Sequence, residues 1–243
     1  MKKILLFGGS GSLGQHIINK NKLRKAPFDI FYPNSKELNL LDLKNLKQYI
    51  LKLKPDCILH LAVYNMNIQK ELDSLKINNQ SYDYRNNIRN VNVIGTCNLI
   101  NIADELKIKF IYISSEYVFY GDKGSYKISD NLNPKNIYGL TKACGEMMTK
   151  TLNNYLIIRC PFIRDIIFNH KQAYNDQWCS RQYVNIVAKK LLDLNLFEEK
   201  GIIHIIGNRK TMAQIAKETN KNIKIISMPD EFRKIIPLDS SLI

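Results

Sequence analysis

Long apolar runs, cysteine pairs and clusters of metal-binding side chains are absent from this chain of 243 residues. No apolar run reaches the roughly 18 residues that a transmembrane helix needs, so we expect no membrane contact. The first residues pass directly into a strand and a glycine-rich loop without the apolar segment of a signal peptide. The five cysteines form no CxxC pair, which predicts free, buried thiols in a reducing cytoplasm and no bound metal.

Acidic residues are also scarce, with 22 Asp and Glu against 36 Lys and Arg and a formal net charge of +14. A basic protein of this kind could bind nucleic acid. The lysines are spread over the whole chain, however, and do not form a basic cluster interleaved with aromatic residues. We therefore expect no nucleic-acid partner, and we expect the positive charge to help attract an anionic ligand.

Glycine is rare as well, with 11 residues in the chain, yet Gly8, Gly11 and Gly14 fall within seven positions. They follow a short apolar strand at residues 3–7 and precede a helix that we predict from Leu13 to about Lys25. Glycines at this spacing allow a tight turn, the close approach of a pyrophosphate and close packing of the helix. The pattern predicts a dinucleotide site, and the alternative is a flexible loop.

A second group of residues suits proton transfer to a carbonyl oxygen. Ser115 follows the apolar strand at residues 110–113, and ligands bind at this end of the strands in an open α/β sheet. Tyr138 and Lys142 stand four residues apart on a predicted helix, hence on one face. The lysine charge would lower the pKa of the phenol. A chance Tyr and Lys on an ordinary helix is the alternative interpretation.

The two groups together resemble an extended short-chain dehydrogenase/reductase. More closely, Ser-Ser-Glu-Tyr-Val-Phe-Tyr-Gly at 114–121, Asn-Ile-Tyr-Gly-Leu-Thr-Lys at 136–142 and Asn-Asp-Gln at 175–177 resemble the dTDP-4-dehydrorhamnose reductase family. The resemblance extends from residue 1 to about 220 and is densest over 110–146. It implies an α/β fold with a Rossmann-type doubly wound parallel sheet. It also implies a dinucleotide-binding domain at 1–160 and a small substrate-binding part at 161–243, interleaved with the sheet.

The family's cofactor contacts can be carried over by residue. They fall on Gly8, Ser10, Gly11, Ser12, Leu13, Gly14, Asn34, Ser35, Asn39, Leu40, Ala62, Val63, Tyr64, Ile113, Tyr138 and Lys142. An acid at the end of the second strand would bind a ribose hydroxyl and favour NAD. Residues 32–36 contain no acid, and Lys36 is near. We therefore expect NADP(H) to be favoured over NAD(H).

The resemblance also assigns roles in catalysis. Tyr138 would protonate the carbonyl oxygen, and Ser115 would donate a hydrogen bond to the same oxygen. Lys142 would lower the pKa of the Tyr138 phenol and hold the nicotinamide ribose. Substrate contacts fall on Ser115, Glu116, Tyr138 and Phe162. The implied activity is reduction of a nucleotide-linked 4-keto-6-deoxy sugar, by a monomer or a homodimer.

Two other functions remain open. A sugar-nucleotide dehydratase or epimerase of the same superfamily would carry an Asp-Glu acid/base pair, and here Glu116 is followed by Tyr117. A non-catalytic NADP-binding regulator, similar to the methionine adenosyltransferase β subunit, would fit the shortened segment at 163–174.

His60, alone in an apolar strand, is interpreted as structural. Gly95 is expected at a close contact between a helix and the sheet.

Overall fold

A computed structural model describes residues 1–25, 27–75, 82–164 and 167–243. Its centre is a sheet of six strands, all paired in parallel, in the order β10-β5-β4-β3-β1-β2. These strands are β1 Lys3–Phe7, β2 Asp29–Phe31, β3 Cys57–His60, β4 Lys109–Ser114, β5 Tyr155–Arg159 and β10 Gly201–His204. The helices are α1 Ser12–Lys22, α2 Leu43–Leu53, α3 Ile68–Ser74, α4 Tyr82–Arg89, α5 Gly95–Glu105, α6 Ile137–Thr149, α7 Val184–Asp193, α8 Met212–Thr219 and α9 Asp230–Arg233.

Helices cover both faces of the sheet, because successive strand residues point to opposite faces. On β1, Ile4 and Leu6 join a core cluster with residues of α1 and α7, whereas Leu5 and Phe7 join a second cluster with residues of α2 and α5. Strands buried on both faces are typical of doubly wound parallel sheets. The expected fold class is confirmed.

The carboxyl-terminal residues build a smaller core and also complete the sheet. Short strand pairs join β6 Phe162–Ile163 to β9 Gln182–Tyr183, β7 Gln172–Tyr174 to β12 Lys224–Ile226, and β8 Trp178–Cys179 to β11 Lys210–Thr211. Their core contains Phe168, Met212 and Ile215. The edge strand β10 and helix α7 come from the same region but pack with the main sheet. The division of the chain at residue 160 remains a sequence prediction.

Several sequence predictions differ from the structure. The sequence predicts a helix from Gln182 to Leu194, whereas α7 begins at Val184, because residues 182–183 pair with β6 as a strand. The sequence also predicts that residues 65–90 form a loop and the start of a long helix that ends near Leu106. This stretch contains α3 before α4, the long helix contains a π-helical turn at Asn90–Ile94, and residues 76–81 lie outside the described residues. A Cβ on Gly95 would lie 2.8 Å from the Leu40 side chain, so this glycine packs against the loop after β2 and not against the sheet.

A capping box fixes the start of helix α8. The Thr211 hydroxyl caps α8, and the Gln214 side chain accepts the Thr211 backbone N–H in return. All five cysteines are free. Across the described ranges, no helix is both long and apolar enough to cross a bilayer, and no group of three or more His, Cys, Asp or Glu could hold a metal ion.

Candidate functional site

The glycine-rich loop is shaped by close backbone contacts. A Cβ on Gly14 would lie 2.5 Å from the Gly8 carbonyl oxygen, and a Cβ on Gly8 would lie 2.6 Å from the backbone nitrogen of Ala62. Gly8 also has φ of +90°, a conformation that other residues rarely adopt. Helix α1 then begins at Ser12, and within the described part of the chain no side chain caps it. Its first N–H groups are therefore available to a phosphate.

The predicted adenosine side contains an acid that the sequence argument did not consider. The Glu37 carboxylate accepts a hydrogen bond of 2.8 Å from the backbone N–H of Asn34, while the Asn34 side chain accepts from the N–H of Lys36. Glu37 also borders a cleft of about 400 Å³ beside Tyr32. A carboxylate next to Asn34 and Ser35 disfavours a 2′-phosphate at this position through like charge.

Asn92 links the predicted cofactor segment at 62–64 to helix α6. Its side chain accepts the backbone N–H of Tyr64 at 2.7 Å and donates to the Tyr64 carbonyl and the Thr141 hydroxyl. It lies in the π-helical turn, a feature frequent at functional sites. Asn92 was not predicted as a site residue. A polar residue between two valines was the available signal.

The predicted catalytic residues come from two elements that are in direct contact. Ser115 follows β4 and begins a 3₁₀ turn at Glu116–Val118, and Tyr138 and Lys142 lie on α6. A Cβ on Gly139 would lie 2.0 Å from the Tyr117 carbonyl oxygen, so only glycine allows α6 this close to the turn. The rings of Tyr117 and Tyr138 meet edge to face, with centroids 6.0 Å apart.

Lys142 is almost fully buried, and its ammonium lies 3.9 Å from the centroid of the Tyr112 ring on β4. This is a cation–π contact. Burial lowers the pKa of Lys142 to about 7, although the carboxylate of Glu146 acts in the opposite direction. A substantial neutral fraction of the amine is therefore present near neutral pH.

The expected effect of Lys142 on Tyr138 is outweighed in this structure. Burial raises the pKa of Tyr138, and the negative charge of Glu116 raises it further, whereas the positive charge of Arg181 lowers it. Desolvation disfavours the phenolate, since the charged form loses its hydration. The structure therefore contradicts the expectation of a lowered phenol pKa.

Glu116, expected to bind a sugar, already has two partners within the chain. Its Oε2 atom accepts the Ser115 hydroxyl at 2.8 Å, and its Oε1 atom accepts the Arg181 Nε–H at 2.8 Å. Arg181 also donates from Nη2 to the Tyr117 hydroxyl at 3.0 Å. Arg181 was not predicted from the sequence. The only signal that the sequence offered for it was a single cation shortly after the Asn-Asp-Gln turn.

The start of α6 is held by two further polar side chains. The Asn136 side chain accepts the N–H of Gly139 at 2.7 Å and donates to the Ile235 carbonyl. The buried Glu71 carboxylate of α3 accepts the N–H groups of Ile137 and Tyr138. Glu71 falls in the least family-like stretch and was also missed. It places a negative charge at the positive end of the helix dipole.

Other predicted residues lie outside this constellation. Phe162 forms part of β6 and packs against the cluster between the sheet and α1, and its contact with a sugar remains a prediction. Ile113 is buried in the same cluster. His60 is buried, pairs with the Thr96 hydroxyl at 2.9 Å, and has its pKa lowered to about 3 by burial. This agrees with its interpretation as a structural residue.

Comparisons with known proteins identify the family. A family model described as the RmlD substrate binding domain matches residues 1–190. The spore coat polysaccharide biosynthesis protein SpsK of Bacillus subtilis is 27% identical over 67% of this chain and 54% of SpsK. The methionine adenosyltransferase 2 subunit beta of Xenopus tropicalis is 28% identical over 86% of this chain and 68% of that protein. The dTDP-4-dehydrorhamnose reductase of Aggregatibacter actinomycetemcomitans is 28% identical over 86% of this chain and 62% of that protein.

A crystal structure of the Bacillus anthracis dTDP-4-dehydrorhamnose reductase in complex with NADP has the same fold. Its TM-score is 0.82 at 24% identity, covering 100% of this chain and 91% of that one. The match to SpsK spans about half of that relative's length. Since the family model covers most of the sequence, the chain belongs to the RmlD substrate binding domain family.

Proposed function

We propose that this protein is a nicotinamide-dependent reductase of a nucleotide-linked 4-keto-6-deoxy sugar. The single observation that carries the proposal is the contact between α6 and the 3₁₀ turn at Gly139. This contact packs the helix that carries Tyr138 and Lys142 against the turn that Ser115 begins, at the carboxyl end of β4. The glycine-rich loop after β1 lies at the same edge of the sheet, because all six strands are parallel.

A bound nicotinamide would supply the hydride. The chain's own residues supply the rest of the chemistry. Tyr138 donates a proton to the carbonyl oxygen as negative charge develops there. Ser115 donates a hydrogen bond to that oxygen once its hydroxyl turns away from Glu116. Lys142 holds the nicotinamide ribose.

We further propose NADP(H) as the favoured cofactor. The absence of an acid at residues 32–36 and the nearby Lys36 support this preference, while Glu37 opposes it.

We also propose a cytoplasmic protein without a nucleic-acid partner, supported by its free thiols and scattered lysines. A homodimer is supported by the exposed side chains of Leu140, Met147 and Met148, which share one face of α6. Met147→Glu should then reduce the dimer fraction in sedimentation.

The test is single-turnover oxidation of NADPH with a panel of dTDP- and UDP-linked 4-keto-6-deoxy sugars. Tyr138→Phe should lower the rate by at least 100-fold, as expected for loss of a general acid. Ser115→Ala should cost on the order of 10- to 1000-fold. Fluorescence titration should show that both variants still bind NADPH, whereas Lys142→Met should also weaken NADPH binding. A Tyr138→Phe protein with more than a tenth of the wild-type rate contradicts the mechanism.

The second candidate is a regulatory NADP-binding protein, which the similarity to methionine adenosyltransferase β subunits favours. It predicts NADPH binding without turnover of any substrate in the panel. A dehydratase is disfavoured because Glu116, its nearest candidate base, is paired with Arg181 and Ser115.

A further inference from the structure

The Arg181 guanidinium is a largely buried cation, with 17% of its side chain exposed, that enters the catalytic region from the carboxyl-terminal part. Its Nε and Nη2 atoms bind Glu116 and Tyr117, and the Nη2 atom lies 2.6 Å from Glu116 Oε1. A buried guanidinium must be paired, because its desolvation is costly. Both partners of the guanidinium, the Glu116 carboxylate and the Tyr117 hydroxyl, belong to the 3₁₀ turn after β4, so Arg181 is bound to this turn.

The backbone on both sides of Arg181 is fixed. The preceding Ser180 is fully buried, and its hydroxyl accepts the N–H of Leu242 at 2.9 Å. The following residue, Gln182, donates its N–H to the Pro161 carbonyl at the end of β5. Arg181 therefore reaches Glu116 from a position held by two different segments, which limits how far the guanidinium can move.

Glu116 lies between Arg181 and Ser115, with one carboxylate oxygen for each. Its side chain is only 3% exposed. If the guanidinium were removed, a buried carboxylate would be left without a counter-charge beside the Ser115 hydroxyl. Tyr117, the other partner of Arg181, contacts the Tyr138 ring edge to face. Arg181 is thus linked to the Ser115 hydroxyl and to the Tyr138 ring through one intermediate residue each.

We propose that Arg181 is a positioning residue for the reduction, pairing with Glu116 so that the neutralised carboxylate releases the Ser115 hydroxyl to the substrate oxygen and leaves no net negative charge beside Tyr138. This inference rests on the proposed function. The family resemblance did not assign this position, and the proposal follows from the contacts of the guanidinium.

The charges around Tyr138 support the same role. Charged and titratable groups face Tyr138 from several elements. They are Glu116 and Tyr117 on the 3₁₀ turn, Cys160 after β5, Arg181 after β8, Lys142 one turn along α6, and Glu71, which accepts the backbone N–H of Tyr138. Glu116 raises the pKa of Tyr138 and Arg181 lowers it, so the two charges oppose each other. Loss of one partner leaves the other unbalanced in a region of low dielectric, where its effect is large.

The experiment is a four-corner comparison of wild type, Arg181→Met, Glu116→Gln and the double variant, using kcat and KM for NADPH-dependent reduction. Arg181→Met should lower kcat on the order of 10- to 100-fold with the KM for NADPH unchanged, because the unneutralised Glu116 carboxylate then keeps the Ser115 hydroxyl from the substrate oxygen. Glu116→Gln should lower kcat less, because its amide leaves no unbalanced negative charge beside Tyr138. The double variant should regain most of the kcat that Arg181→Met loses.

Two controls separate this role from a purely structural one. Arg181→Lys keeps the charge and should keep most of kcat. Arg209→Met removes a more exposed arginine from its pair with Asp239 and should leave kcat unchanged.

An Arg181→Met protein with the wild-type kcat overturns the inference, as does a loss that Glu116→Gln fails to restore. If Arg181→Met does not fold, a loss of kcat in Arg181→Lys of more than about 10-fold overturns it instead, since lysine keeps the charge. Lack of wild-type turnover overturns the proposed function together with this inference, whereas turnover without the predicted loss and recovery overturns the inference alone.

Discussion

The carboxylate of Glu71 accepts the backbone N–H of Tyr138 at 2.9 Å, so the residue proposed as the proton donor is held by its main chain as well as by its helix. The same carboxylate accepts the N–H of Ile137 at 3.0 Å and the Tyr84 hydroxyl at 2.7 Å. Four N–H groups at a helix start have no partner within the helix. Glu71 satisfies two of them from a different element and fixes where α6 begins.

Glu71→Ala should destabilise the protein by about 3–5 kcal/mol, because it leaves three buried donors without an acceptor. Glu71→Gln keeps the shape and should cost less, on the order of 1–2 kcal/mol. Urea unfolding measures both. Asn67→Ala, which removes the exposed cap of α3, is the matched control and should cost about 1 kcal/mol. A Glu71→Ala protein as stable as the control would contradict this account.

Gly139→Ala should separate α6 from the catalytic turn. The added Cβ would lie 2.0 Å from the Tyr117 carbonyl oxygen, and a backbone atom cannot move aside as a side chain can. We expect a stability loss of about 1–3 kcal/mol and a lower rate of NADPH oxidation per folded molecule. Lys150→Ala, at the exposed carboxyl end of the same helix, should change stability by no more than about 0.5 kcal/mol. Equal effects of the two substitutions would refute the packing argument.

Burial of Lys142 should make stability depend on pH. Its pKa is about 7 in the folded protein and about 10.4 in an unfolded chain. The unfolded chain therefore binds more protons between these values, and the unfolding free energy of wild type should rise with pH across this window. Relative to wild type, Lys142→Met should be most stable below pH 7, and its advantage should shrink by about 3 kcal/mol between pH 6 and pH 9. Paired urea titrations at several pH values measure the difference, and a constant difference would argue against a lowered pKa.

Glu37→Gln should strengthen NADPH binding relative to NADH. The Glu37 carboxylate lies beside the predicted 2′-phosphate position and bonds the Asn34 backbone. Removing one exposed like charge is worth about 1 kcal/mol at close range, or roughly a fivefold change in the affinity ratio. Calorimetric titration with both cofactors measures the ratio. Glu231→Gln, on the distant α9, should leave the ratio unchanged. Tighter binding of NADH than NADPH by wild type would defeat the proposed cofactor preference.

Local sequence patterns predicted the framework of the fold, whereas the charge arrangement of the site depends on contacts between distant segments. The apolar strand before Gly8 and the Tyr138–Lys142 spacing are each contained within a few residues, so their geometry follows from one strand or one helix. The partners of Arg181 and Glu71 are 65 and 67 positions away in sequence. No periodicity encodes such pairs. The same limit explains the error on the Tyr138 pKa, since burial arises only when the turn, α6 and the carboxyl-terminal residues pack together.

The late position of Arg181 also bears on how the protein is made. A ribosome adds about 5–20 residues per second, and domains begin to form from the amino terminus during synthesis. The glycine loop, Ser115 and α6 therefore emerge a few seconds before the guanidinium that neutralises Glu116. Until then the nascent chain carries an unpaired acid where the substrate part will dock. Translation rate across this interval thus becomes a variable in how much correctly assembled protein a cell obtains.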